Sequence, residues 1–142
     1  MRALLIAAML SLLWLGGSSA EPQEALAVRA MLKSIFEKPD VPLVVEPVAV
    51  AGDYALADWE QGEMGGRALL RKKNGNWEVV LCAGDEIREA QALRSAGIPP
   101  DLAASLSSEL ARAESKLSRA RLEKFSSFKG LVRMEHGAHP HQ

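Results

Sequence analysis

The chain has 142 residues, with 18 Asp plus Glu against 17 Lys plus Arg, a single Cys and three His. With 48% apolar and 25% charged residues it can bury a core as one domain, which excludes intrinsic disorder. A net charge of -1 argues against a protein built to coat nucleic acid.

In chain order, Met1 and Arg2 lead into an apolar run of 13 residues, Ala3 to Leu15, followed by Gly16-Gly17-Ser18-Ser19-Ala20. That run is too short for roughly 30 Å of hydrocarbon, and the small residues Ser18 and Ala20 suit a peptidase cutting before Glu21. Residues 1–20 therefore read as a signal peptide, residues 21–133 as a single domain and residues 134–142 as a flexible Met- and His-containing tail. The expected location is periplasmic or secreted, with no membrane span after cleavage. Lipid anchoring is not expected, because the one Cys, Cys82, is far from the cleavage point. In an oxidising compartment a single Cys makes no internal disulfide. Cys82 is left as a buried thiol, an intermolecular partner or a ligand.

From 24 to 38 the apolar residues Val28, Met31, Leu32, Ile35 and Phe36 recur at helical spacing, and Pro39 ends the helix. Four strands follow, at 43–50, 54–61, 67–73 and 77–82, separated by Gly52-Asp53, a Gly-rich loop holding Met64, and Asn74-Gly75. Asn74-Gly75 predicts a two-residue hairpin with positive φ at both positions. Short connections imply an antiparallel meander. Alternation places Ala55, Ala57 and Trp59 on one face with Ala68, Leu70, Trp77, Val79 and Leu81, toward the first helix, and Cys82 with Glu78 and Val80 on the other.

Beyond Gly84, Asp85 caps a helix to Ala96 that Gly97 stops, and Pro99-Pro100-Asp101 opens another with the stripe Leu102, Leu106, Leu110, Ala113 and Leu117. Ser118 caps a continuation through Phe125, and 126–133 reads as extended. The fold class is α+β: an N-terminal helix on a four-stranded antiparallel sheet, then C-terminal helices, in the manner of cystatin-like or NTF2-like domains. Charge is uneven along this order. Residues 40–63 hold six acids and no base, whereas 112–133 hold seven bases and two acids. These read as solvated faces that partly complement each other, or as acidic loops that attract cations.

All three histidines fall in the last seven residues, with Met134 just before them. Imidazole suits copper, zinc and nickel, and soft sulfur favours Cu(I). Met134, His136, His139 and His141, joined by Met64 or Cys82 if the tail folds back, form a candidate copper site. Pro140 keeps His139 out of helical conformation, so a flexible chelating tail is expected rather than a rigid cage. The alternative is a frayed polar terminus that happens to hold three histidines. A square-planar copper site at the new amino terminus is excluded, because Gln23 stands where the third-position His is required.

Outside the tail the chain has no His, and it lacks a zinc-protease helix motif, a phosphate-binding glycine loop and a paired Cys motif. Acid-pair hydrolysis through Asp58, Glu60 or Glu63 is the one catalytic option left, and the chain reads as a binder and not an enzyme.

The runs Gly65-Gly66-Arg67-Ala68-Leu69-Leu70-Arg71-Lys72, Asn74-Gly75-Asn76-Trp77-Glu78-Val79-Val80-Leu81-Cys82 and Phe125-Ser126-Ser127-Phe128-Lys129-Gly130 together resemble the small secreted bacterial proteins called copper uptake system-associated proteins. The resemblance covers about residues 30 to 134. It implies a periplasmic accessory role in copper homeostasis, with a membrane copper importer or a periplasmic copper protein as partner. The family's tails are rich in histidine, and here His136, His139 and His141 are sparse and separated. The alternative is a metal-free interaction or small-ligand-binding module with an inert tail.

Overall fold

The computed structural model describes residues 22–134. The proposed signal peptide and His136, His139 and His141 lie outside the described residues. The order of elements is α1 (Gln23–Phe36), β1 (Leu43–Ala51), β2 (Tyr54–Gln61), β3 (Met64–Lys73), β4 (Asn76–Ala83), a 3-10 turn (Asp85–Ile87), α2 (Ala90–Ser95), α3 (Pro100–Glu114), α4 (Arg119–Ser126) and β5 (Val132–Arg133). The protein is α+β. Its antiparallel sheet has five strands in the order β1-β2-β3-β4-β5 rather than four, because two residues of the extended stretch near the C-terminus pair with Leu81 and Cys82.

The hairpins form where the turn chemistry demands. Asn74 and Gly75 both have positive φ, 51° and 78°, the backbone that joins β3 to β4 in two residues. The second hairpin turns on Gly62 and Glu63, which pairs Gln61 with Met64; Met64 thus opens β3 instead of sitting in a loop.

Both faces of the sheet are covered. On one face α1 lays Val28 and Leu32 against Leu43, Val45, Ala55, Ala57, Ala68, Leu70 and Trp77. On the other, α2 and α3 bring Leu93, Ala103, Leu106 and Leu110 onto Ala49, Ala51, Leu56, Leu69, Leu81 and Ala83. Alternation holds along β2, but two irregularities flip it elsewhere. In β1 the register shifts between Val45 and Val48, so Val45 faces α1 while Ala49 faces α3. In β4 the register shifts after Leu70 pairs with Val79, since Leu69 pairs with Leu81 and Val80 has no partner of its own on β3. An extra residue reverses every side chain beyond it. Leu81 therefore packs toward α3, and Cys82 joins Trp77 and Val79 on the α1 face, the reverse of simple alternation.

The segment expected to be one helix from Asp85 is broken into the 3-10 turn and α2. Gly97, at φ 99°, ends it. In α3 the buried line is Ala103, Leu106, Leu110 and Glu114, rotated from the expected stripe, and Leu102 is half-buried. Ser118 caps α4 by accepting from the Arg121 amide. The acidic and basic segments do meet at one point: Arg121 lies 2.6 Å from Glu60 and 3.6 Å from Glu46.

Candidate functional site

A cavity of about 430 Å³ opens on the α1 side of the sheet, between the last turns of α1 and the C-terminal segment. Leu32, Leu43 and Cys82 are buried and form its floor. Trp59 and Phe128 wall it, their rings edge to face with centroids 5.9 Å apart. Ile35, Met64 and Val132, all exposed, stand at its mouth.

Glycine makes the wall possible. A Cβ on Gly65 would come within 2.6 Å of the Lys124 carbonyl oxygen, and one on Gly66 within 2.9 Å of the Trp59 ring and 3.1 Å of Phe128. The end of α4 and the segment after it can therefore lie directly on β3, and Phe128 reaches Trp59. Beyond Phe128 the chain pairs with β4 through β5, and the Met134 amide donates to the Val80 carbonyl at 2.9 Å. Met134 is thereby tied to the sheet.

Of the six candidate metal ligands, three fall within the described residues, and all three line this cavity: Met64 from the start of β3, Cys82 from the end of β4 and Met134 from beyond β5. Their exposures differ, with Met64 61% exposed and Cys82 8%. Burial pushes the Cys82 thiol up to about 11, so without a bound cation it is neutral. Among the described residues no group of three or more His, Cys, Asp and Glu side chains is placed to hold a metal ion. The donor chemistry gathered here is thioether and thiol in an apolar setting, which fits a soft monovalent ion and not a hard divalent one.

A second constellation, on the α3 face, was not anticipated. The hairpin register places Asp58 opposite Arg67, and both are buried. Arg67 Nε lies 3.3 Å from Asp58 and 2.9 Å from Glu114 Oε1; Nη1 reaches Asp85 at 2.9 Å and Nη2 reaches Glu114 at 2.8 Å. Arg88 pairs with the other Glu114 oxygen at 3.0 Å. Phe125 meets the Arg67 guanidinium at 5.7 Å and Arg121 at the same distance. Two arginines thus serve three carboxyl groups.

Burial, with Glu114 alongside, pushes Asp58 up to about 9, so it keeps its proton at neutral pH. Neither Asp58 oxygen is met by a well-aligned protein donor, and the retained proton supplies the missing hydrogen bond, to Glu114. Burial also opposes ionisation of Asp85, but the Ser126 hydroxyl and Arg67 overcome it and lower its pKa. Asp58, Arg67 and Glu114 are buried while Asp85 and Arg88 close the cluster at the surface, so it ties β2, β3 and α3 together. The sequence signal for it was a charge at a core-facing position of each strand, Asp58 and Arg67, placed symmetrically about the Gly62 turn. Glu60, named with Asp58 as an acid pair, points instead to Arg121, and Glu63 is in the exposed turn.

Compared with known proteins, the chain matches no protein-family model, no curated protein and no solved structure. The functional reading therefore rests on the fold and the cavity. Among the described residues no helix is long and apolar enough to cross a membrane.

Proposed function

We propose that this protein is a periplasmic accessory factor in copper uptake that binds Cu(I) at the sulfur-lined cavity and hands it to a membrane copper importer or a periplasmic copper protein. One observation carries this reading: Met64, Cys82 and Met134, separated by 18 to 70 positions in the sequence, line a single cavity. Three sulfur donors are a sufficient set for Cu(I), and an apolar floor disfavours more strongly hydrated ions. Met64 at the exposed mouth is the first donor an incoming ion meets, and Cys82 at the floor gives up its proton only as the metal replaces it. His136, His139 and His141 follow Met134 by two to seven residues, close enough along the chain to deliver or cover the ion.

Titration of the protein with Cu(I) against a chromophoric competitor tests this reading. Met64→Leu and Met134→Leu should each weaken Cu(I) binding with little effect on Cu(II), and replacing all three histidines by Ala should remove most Cu(II) affinity. Unchanged Cu(I) affinity in a Met64→Leu, Met134→Leu double variant would refute the sulfur site.

A further inference from the structure

Part of the cavity lining carries a chemistry that a soft metal ion does not use. Leu32 and Phe36 from α1 and Leu43 from β1 present only carbon to it. Leu32 and Leu43 are 1% and 2% exposed, so the space reaches from the surface into the core, and Ile35, 47% exposed, stands at the opening. Apolar surface of this kind gains free energy when an apolar ligand removes it from water.

The polar groups around it are mostly committed. The Gln61 amide donates to the carbonyls of Phe36 at 2.9 Å and Val41 at 3.2 Å. The Glu37 carboxylate accepts from the Leu43 amide at 3.0 Å and lies 3.6 Å from Lys33. Lys38 is different. It lines the same cavity from the turn between α1 and β1, its side chain is exposed, and among the described residues its ammonium has no carboxylate or carbonyl partner. Arg and Lys side chains elsewhere around α1 are spoken for, as with Lys33 on Glu37 and Lys72 on Glu24.

We propose that the α1 side of the cavity is a binding site for a small amphiphile, an aliphatic or aromatic arm ending in a carboxylate, with the arm against Leu32, Phe36 and Leu43 and the carboxylate on Lys38. The volume of about 430 Å³ is toward the small end of ligand pockets, which run roughly 300 to 1,000 Å³, and this favours one short arm over a two-chain lipid. Apolar side chains at Leu32, Phe36 and Leu43, polar neighbours already hydrogen-bonded, and one uncommitted cation at the edge are the complement of such a molecule. The site shares the cavity with the sulfurs but draws its contacts from other side chains, Leu32, Phe36, Leu43 and Lys38.

Octanoate, titrated calorimetrically into the metal-free full chain with octan-1-ol as the uncharged control, tests the site. Octanoate should bind more tightly than octan-1-ol. Lys38→Gln, at an exposed position that leaves the core intact, should weaken octanoate about three- to tenfold and leave octan-1-ol unchanged. Ile35→Glu, also exposed, sets a negative charge at the opening and should weaken octanoate at least as much. No octanoate binding up to about the millimolar range, equal affinity for octanoate and octan-1-ol, or a Lys38→Gln affinity within about twofold of the parent would each overturn the proposal. The Met64→Leu, Met134→Leu variant reports on Cu(I) and Lys38→Gln on octanoate, so the two readings stand or fall separately.

Discussion

The two faces of the sheet solve opposite problems with similar materials. The α3 face closes over Leu56, Leu69 and Leu81 with Leu93, Leu106 and Leu110, and where carbon runs out it closes with charge, seating Arg67 among Asp58, Glu114 and Asp85. The α1 face has a comparable core under Val28 and Leu32, yet at the last turns of the helix Leu32, Ile35 and Phe36 border a cavity. A buried charge cluster tolerates no gap, because each unpaired group would be left desolvated, whereas an apolar cavity costs only lost contacts and stays available to a ligand. One face is closed by a charge cluster and the other keeps an apolar cavity beside its core.

The strongest way to break this contrast is to remove the hub of the charged face. Arg67→Met leaves Glu114 and Asp85 without their central partner and should cost about 3 to 5 kcal/mol in urea unfolding; a loss below about 1 kcal/mol would mean that the cluster does not hold the face. Next in size, Leu106→Ala removes a fully buried side chain of α3 and should cost roughly 2 to 5 kcal/mol. On the open face, Ile35→Ala should stay within about 0.5 kcal/mol, since Ile35 is already half in water. Similar losses at Leu106 and Ile35 would erase the distinction.

The pH dependence sharpens the same comparison. Asp58 is protonated in the folded state up to about 9, while its ordinary value is 3.8, so between those limits the folded chain binds a proton that the unfolded chain releases. The stability linked to this proton is fully present below the ordinary value and is lost as pH rises through the folded one, with a slope of at most about 1.4 kcal/mol per pH unit. Thermal unfolding between about pH 5 and about pH 9 should follow this fall, and Asp58→Asn, neutral at every pH, should flatten it. An unchanged slope in Asp58→Asn would show that Asp58 is ionised in its buried position. Below that range the lowered pKa values of Glu24, held by hydrogen bonds from Lys72 and Trp77, and of Asp85 act in the opposite sense and are lost as pH falls. The smallest expected effect is at the tail: replacing His136, His139 and His141 by Ala should leave melting without copper unchanged, since polar-to-Ala changes away from a core usually cost little.

Most elements of this protein, though not β5 or the break between the 3-10 turn and α2, were legible in its sequence because their signals are local. Periodicity in 24–38 gives α1, Asn74-Gly75 gives its hairpin, Gly97 and the prolines after it separate α2 from α3, and Ser118 starts α4. Each rests on backbone preferences that a few neighbouring residues decide. What faces what was less legible. The shifts in β1 and β4 each insert one residue against a partner strand, which no alternation pattern within a single strand reports, and they move Cys82 to the α1 face and Leu81 to the other. The candidate ligands could be named by type from the sequence, but the meeting of Met64, Cys82 and Met134 required the β4 shift, the glycines at 65 and 66 and the pairing of β5. So did the cavity itself, and Arg67 became a hub only when α3 brought in Glu114 from 47 positions away. Residue type and local spacing fix which elements form and which chemistries are on hand; only long-range packing fixes which side chains share one cavity and which charges are buried together, because those contacts join segments whose sequences carry no signal of each other.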